Sequence, residues 1–87
     1  MSWFLYLIEC ADGSLYTGIA RDPQARFALH LAGKGARYTR SHSPRRLLAT
    51  LAFPDRSSAL KAEHQLKKLP AGEKLRNAFA QGAEKVS

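Results

Sequence analysis

The feature that most constrains this fold is the apolar segment at residues 3–10, whose sequence is WFLYLIEC. Its residues favour extended structure, and apolar side chains occupy both alternating faces, which is typical of a strand covered on both sides. Asp12-Gly13 is a turn signal, and residues 15–20, LYTGIA, form a second strand. The first twenty residues therefore predict a β-hairpin in a small sheet with helices packed on it.

A helix is predicted after the hairpin. Asp22 is typical of an N-cap, and Pro23 suits the first helical position, so the helix should begin there. It should run to about Leu31 and stop at Gly33, a residue that suits a helix C-terminal cap. Phe27 and Leu31 are four residues apart, and this spacing predicts that both face the core.

The second half of the chain contains fewer strong signals. Residues 33–46 have no period and no acidic residue, and we interpret them as a loop. Three further elements are predicted: a strand at 47–53, a helix at 58–69 and a helix at 71–81 that carries Leu75, Ala78 and Phe79 inward. The predicted fold class is α/β of the α+β type, as one domain over residues 1–87. Its sheet would be small, three-stranded and mainly antiparallel, flanked by helices in the order β-β-α-β-α-α.

Charge indicates the class of partner. The chain has 14 Lys and Arg residues against 7 Asp and Glu residues, a net charge of +7, and such a surplus attracts polyanions such as DNA or RNA. The basic residues lie on no helix with a broad apolar face, so no membrane partner is expected. Cys10 is the single cysteine and is expected to be a small core residue. With no signal-peptide pattern present, a cytoplasmic location is expected.

The densest positive charge lies in residues 33–46, GKGARYTRSHSPRR, which we call the basic segment. Its cations and interleaved rings suit phosphate contact and base stacking, and Gly33 and Gly35 let the backbone approach closely. A solvated surface is the plainer interpretation, but the segment contains no balancing acid. The nucleic-acid-binding residues predicted here are Lys34, Arg37, Tyr38, Arg40, Arg45 and Arg46.

Glu63 is the most informative acidic residue. On a helical wheel it falls inside the apolar arc of its helix, between Ala59 and Leu60, where a carboxylate is unfavourable unless it has a partner. One interpretation is a pair with Lys67, at the favourable Glu-to-Lys spacing of four. The other is a metal ligand at the floor of a cleft. The helix pattern alone favours the pair.

Two further pairs of residues suit phosphate chemistry. Arg26 and His30 are four residues apart, so they share one face of the predicted helix, turned away from its apolar stripe. Arg suits contact with a phosphate, and His can bind phosphate or transfer protons. The plainer interpretation is a polar face exposed to solvent. Tyr6 and Tyr16 lie on the two predicted hairpin strands. One interpretation is that both are packed rings, and the other is that their hydroxyls face one cleft. Gly18 shares the face of Tyr16 and would allow a ligand or another backbone to approach closely.

Taken in order, these residues form a distinctive set: Phe4-Leu5-Tyr6, Tyr16-Thr17-Gly18, Arg26, His30 and Glu63. With them the chain resembles the GIY-YIG nuclease family, and within it the small stand-alone bacterial proteins grouped as UPF0213. The resemblance runs from about Trp3 to Leu69. Residues 33–40 also resemble the catalytic subunit of eukaryotic branched-DNA nucleases. Phe4-Leu5 depart from the Gly-Ile of the first motif, which matters little because the tyrosine carries the chemistry.

The resemblance implies a role for each of these residues. Tyr6 and Tyr16 would be the tyrosines of the two motifs, with Tyr16 favoured to help activate the attacking water, and Gly18 would close the second motif. Arg26 would hold the scissile phosphate, and His30 would face the active site. Glu63 would bind one divalent ion, Mg²⁺ or Mn²⁺. The expected function is metal-dependent endonuclease cleavage of nucleic acid, DNA favoured over RNA, in a structure-specific or repair role. The alternatives are a non-catalytic nucleic-acid-binding module and a nuclease subunit that needs a partner protein.

A shared site for the two tyrosines makes a geometric demand on the hairpin. A two-residue Asp12-Gly13 turn would point Tyr6 and Tyr16 to opposite faces, because side chains alternate along a strand. We therefore predict a three-residue loop at 11–13, with Gly13 at positive φ and Tyr6 opposite Gly18.

The basic segment should control affinity more than chemistry. Replacing Arg37 and Arg40 together by Ala should weaken nucleic acid binding and flatten its salt dependence, because each lost phosphate contact lowers the log–log salt slope by about 0.7 to 0.9. Binding titrations at several salt concentrations measure this slope. An unchanged slope would mean that the segment does not contact the backbone of the nucleic acid.

Overall fold

A computed structural model describes residues 2–86, which form a four-stranded sheet with helices on both faces. Eight elements follow one another along the chain: β1 (Trp3–Cys10), β2 (Leu15–Ala20), α1 (Pro23–Leu31), α2 (Arg37–Ser41), β3 (Pro44–Phe53), α3 (Arg56–Lys67), α4 (Ala71–Ala80) and β4 (Glu84–Lys85). Within residues 2–86, no helix combines the length and apolar composition needed to cross a bilayer. The predicted α+β class with an antiparallel, helix-flanked sheet is confirmed.

The apolar segment that opens the chain is an inner strand of the sheet, whose order is β2-β1-β3-β4 with antiparallel neighbours. On one face, Leu5 and Leu7 pack in a core with Leu66 of α3 and Ala78 of α4. On the other face, Ile8 packs with Tyr6 and Cys10 in a second core, against which Phe27 of α1 is placed. The prediction of a strand covered on both sides is therefore confirmed, and so is the burial of Cys10.

The hairpin has the predicted odd-numbered loop. Tyr6 pairs with Gly18, and Ile8 pairs with Tyr16, so both tyrosines lie on the same sheet face. The Cys10 amide donates to the Ser14 carbonyl at 2.9 Å, which leaves residues 11–13 as the loop. Gly13 adopts a φ of 85°, which a residue with a side chain rarely tolerates.

Side-chain caps start two of the helices. Asp22 accepts a hydrogen bond from the Ala25 amide at 3.1 Å, and α1 begins and ends where the sequence predicts. Asp55 accepts from the Ser58 amide at 2.8 Å, so α3 begins at Arg56, two residues before the predicted start. A carboxylate at the N-cap satisfies an amide that has no partner inside the helix.

The prediction of a loop over residues 33–46 is wrong beyond residue 36, because α2 and the start of β3 lie there. With five residues, α2 is too short to show a helical period, and Thr39 anchors it by donating its hydroxyl to the Ala36 carbonyl at 2.9 Å. Pro44 opens β3 opposite Cys10, at a strand end where the missing amide does little harm. The predicted three strands are also one too few, since β4 pairs with β3 at Ala49 and Thr50.

Three predictions about which helix residues face the core are wrong. In α1 the inward residues are Phe27 and His30, three apart, while Leu31 is 56% exposed. His30 was predicted on a polar face but is buried, because hydrogen bonds satisfy both of its ring nitrogens. In α4, Ala78 is buried and Leu75 packs on the core as predicted, but Phe79 is 39% exposed.

Candidate functional site

A cleft of about 290 Å³ lies where α1 and α3 meet the β1–β2 hairpin. Its lining comes from five parts of the chain, which the fold brings together across more than fifty residues of sequence. The lining residues are Tyr6 and Tyr16, Gly18 and Ile19, Arg26 and His30, Gly35 and Ala36, and Glu63. The predicted catalytic set is therefore assembled in one place.

Two glycines set the shape of this cleft by allowing close approach. The Tyr6 hydroxyl lies so near Gly18 that a Cβ added to that glycine would be 2.5 Å from the Tyr6 oxygen. The backbone at Gly35 lies equally near the His30 ring, and a Cβ there would overlap it. Neither glycine has a positive φ, so close approach, not backbone conformation, requires them.

A buried chain of hydrogen bonds connects the cleft to the basic segment. Tyr6 and His30 are each 2% exposed, and the Tyr6 oxygen lies 3.0 Å from His30 Nε2. On the other side of the ring, His30 Nδ1 lies 2.7 Å from the Thr39 hydroxyl oxygen. The chain thus runs from β1 through α1 to α2.

The direction of these bonds assigns the proton on His30. Thr39 donates its one hydroxyl hydrogen to the Ala36 carbonyl, so its oxygen must accept from Nδ1–H of His30. A 3.4 Å contact from the Ala36 amide to Nδ1 fits the other tautomer, but it is much longer than the 2.7 Å bond. Nε2 is then an acceptor, and the Tyr6 hydroxyl donates to it.

Electrostatics favour the neutral forms of all three rings in the cleft. Burial lowers the pKa of His30, and the charge of Arg26 lowers it further. Burial, followed by the neighbouring Tyr16, raises the pKa of Tyr6 to about 12. Burial and then the charge of Glu63 raise the pKa of Tyr16. At neutral pH both hydroxyls are therefore protonated. A cation beside Glu63 would offset the negative charge of Glu63 and so oppose its raising of the Tyr16 pKa.

A stack of rings fastens the basic segment to the hairpin. The Tyr16 and Tyr38 rings are stacked with centroids 5.8 Å apart, and Tyr38 stacks on His42 at 4.1 Å. His42 Nδ1 in turn lies 2.7 Å from Oδ2 of Asp12 in the hairpin loop. Hydrogen bonds from Ser14 and then from His42 hold the pKa of Asp12 well below its usual range. Tyr38 therefore lies at the rim of the cleft, engaged with two other rings.

Glu63 forms the predicted pair with Lys67, and its role as a metal ligand stays a prediction. Its residue is 8% exposed and borders the cleft, and its Oε2 lies 3.8 Å from Lys67 Nζ. No hydrogen bond to this carboxylate is formed within residues 2–86, so the Lys67 ammonium is its ion-pair partner. In the part of the chain that the structure describes, no three His, Cys, Asp or Glu residues cluster as a metal cage.

The residues predicted to bind nucleic acid fall into two groups, one in the cleft and one outside it. Gly18 lines the cleft, whereas Lys34, Arg37, Arg40 and Arg45 are exposed outside its lining. Arg46 donates from Nε to Glu9 at 2.9 Å and borders other grooves of the molecule.

Gly35, which lines the cleft, and Thr39, which contacts His30, were missed as candidates for this site. Gly35 was predicted to let the backbone approach closely, but its partner in that approach, the His30 ring, depends on tertiary structure. Thr39 carries no sequence signal, because its contact with His30 spans nine residues between two helices.

The chain is similar in sequence and in fold to several known proteins. The GIY-YIG catalytic domain matches residues 2–76. A UPF0213 protein of Cupriavidus pinatubonensis is 55% identical over 73 residues, which cover 84% of this chain and 81% of that protein. A UPF0213 protein of Streptococcus sanguinis is 47% identical, with 83% of each chain covered. The solution NMR structure of the UPF0213 protein BH0048 from Bacillus halodurans has a TM-score of 0.56 and 41% identity, covering 94% of this chain and 87% of that one.

The approach of Tyr6 to Gly18 is testable by adding one methyl group. Gly18→Ala should lower the free energy of unfolding by about 1–3 kcal/mol, because the methyl overlaps the Tyr6 hydroxyl and forces the ring from its place. Gly72→Ala is the matched control: nothing lies within 4 Å of the added methyl, and Ala should stabilise α4 by about 0.5–1 kcal/mol. Denaturant titrations measure both. Equal stabilities of the two variants would contradict the described packing.

Proposed function

Because this chain belongs to the GIY-YIG nuclease family, we propose that it is a divalent-cation-dependent endonuclease that hydrolyses phosphodiester bonds in nucleic acid, with DNA favoured over RNA. One observation carries this proposal. Arg26 and Glu63 border the same cleft as the two motif tyrosines, yet among residues 2–86 neither forms an ion pair with the other.

The separation of these opposite charges is informative. A purely structural Arg–Glu pair would close to within 4 Å, because contact is what makes such a pair favourable. Here Glu63 is held from the side by Lys67, and the Arg26 residue is exposed at the mouth of the cleft. Such spacing leaves room for a phosphate beside the guanidinium and a cation beside the carboxylate.

The donor set fits a hard cation. Mg²⁺ keeps several of its waters and often binds one or two carboxylates together with substrate phosphates, so it does not require a cage of protein ligands. Glu63 supplies one carboxylate whose oxygens receive no hydrogen bond from residues 2–86. Bound there, such an ion would supply positive charge that lowers the pKa of nearby hydroxyls and offsets charge on a phosphate.

The chain's own residues then have distinct tasks. Arg26 binds the scissile phosphate and stabilises the charge that develops on it. Tyr16, whose hydroxyl makes no hydrogen bond to another residue of 2–86, contacts the attacking water. To accept a proton from that water, Tyr16 must first release its own hydroxyl proton to solvent and act as a phenolate. Tyr6 is held in place by its bond to His30, and its oxygen lone pairs remain available to orient the same water.

Three substitutions test this function on single-stranded and branched DNA with Mg²⁺ or Mn²⁺. Glu63→Gln should lower cleavage by orders of magnitude while binding persists or tightens, because a negative charge facing phosphate is removed. Arg26→Ala should also abolish cleavage, because the phosphate loses its clamp. Lys67→Ala is the control: it removes the neighbour of Glu63 outside the cleft and should leave cleavage near that of the unmodified protein. Its effect on stability should be under about 1 kcal/mol.

Rates, binding constants and thermal unfolding of these three variants separate the functions. Full cleavage by Glu63→Gln would end the catalytic assignment of this residue. Tight binding by the unmodified protein without any cleavage would instead favour the binding module, or a nuclease subunit that requires a partner protein.

A further inference from the structure

A second groove adjoins the cleft and is not used by the proposed chemistry. It measures about 330 Å³, and Ile19 and Arg26 border both cavities, so the two lie next to each other at the residue proposed to hold the phosphate. On its far side the groove is bordered by Trp3, Arg21 and Leu29. A volume of this size lies at the lower end of the range for small-molecule sites.

Trp3 is the single tryptophan of the chain, at the start of β1. It is partly exposed, and two guanidinium groups lie over its ring: Cζ of Arg21 is 5.4 Å and Cζ of Arg56 is 5.8 Å from the ring centroid. Positive charge beside an aromatic ring that lines a groove is the arrangement with which proteins bind single-stranded nucleic acid: the cations contact phosphates and the ring stacks on a base.

The groove combines uncovered apolar surface with positive charge. Leu29, on its wall, is 40% exposed although it is a large apolar residue. The one acidic residue on the wall, Asp22, already accepts the Ala25 amide as the cap of α1. Two arginines of the wall, Arg21 and Arg26, together with Arg56 over the Trp3 ring, place three positive charges against this one carboxylate.

We propose that this groove binds an unpaired base of the nucleic acid strand whose phosphate lies at Arg26. The inference rests on the proposed function and narrows its substrate class. A base inside a duplex is stacked on both faces and cannot stack on an indole ring, whereas an unpaired base can. The substrate is thus a strand with at least one unpaired nucleotide beside the scissile phosphate, as in single strands, flaps and junctions.

The competing explanation is purely structural: the two arginines cover Trp3 and protect the end of the sheet. In that case Trp3 contributes to stability and does not respond to a bound base. The two explanations differ in what the indole ring experiences when nucleic acid binds.

Intrinsic fluorescence reports this directly, because every tryptophan photon comes from Trp3. The unmodified protein is titrated without divalent metal, so that cleavage plays no part, with oligothymidylate, oligouridylate, a blunt DNA duplex and inorganic polyphosphate. Saturable quenching by either oligonucleotide, with little change from duplex or polyphosphate, is expected. Equal quenching by duplex or polyphosphate, or no quenching by the oligonucleotides, overturns the proposal.

A matched pair of variants tests whether the Trp3 ring contributes to the affinity for nucleic acid. Trp3→Leu should weaken binding of a labelled oligothymidylate, measured by anisotropy, by about tenfold. Phe79→Leu removes another exposed aromatic ring, on α4, and should leave affinity unchanged. Equal affinities of the two variants overturn the proposal.

If Trp3→Leu does not fold, Trp3→Phe, which keeps an aromatic ring, should bind within a few-fold of the unmodified protein. Loss of cleavage in Glu63→Gln without any of these binding changes would leave the nuclease proposal intact and this one refuted.

Discussion

The hydrogen bond between the Tyr6 hydroxyl and His30 joins an inner strand of the sheet to α1, and the geometry of the cleft depends on it. Both side chains are 2% exposed, so an unmade bond would leave two buried polar groups without each other as partners. The second nitrogen of His30 extends the connection to Thr39 in α2. One imidazole thereby fixes the positions of three separate elements around the same cavity.

The residues around this hydrogen bond leave space for the two rings that form it. Gly18 and Gly35 remove the side chains that would otherwise occupy the space of the Tyr6 and His30 rings. The Tyr16 ring packs against His30 with centroids 5.1 Å apart and continues the contact outward to Tyr38. The hydroxyls proposed to handle a water molecule are consequently carried by rings that cannot move independently, which is the preorganisation that a hydrolytic site requires.

Some of this arrangement was predictable because it follows from strict local rules. The parity of the hairpin loop allows two outcomes only, and a shared face for Tyr6 and Tyr16 selects one of them. Caps such as Asp22 are local as well. The burial of His30 was not predictable from the helix pattern, because its partners lie on other elements and a polar residue at that position usually faces water. The same reason hides α2, whose contacts through Thr39 and Tyr38 are tertiary. Glu63 is intermediate: its place in an apolar arc signals an unusual carboxylate, but only the fold shows that it faces the cleft.

The state of the His30 ring tests this account most directly. Nitrogen-15 NMR of the imidazole across pH 5–8 reports both the tautomer and the titration midpoint. With Nε2 accepting from Tyr6 and the pKa lowered by burial, the ring should carry its proton on Nδ1 and titrate below the ordinary value of 6.5. Because the folded protein then resists protonation, stability should fall as the pH decreases below 6.5. A proton on Nε2, or a midpoint at or above 6.5, would contradict the hydrogen-bonded chain on which the site is built.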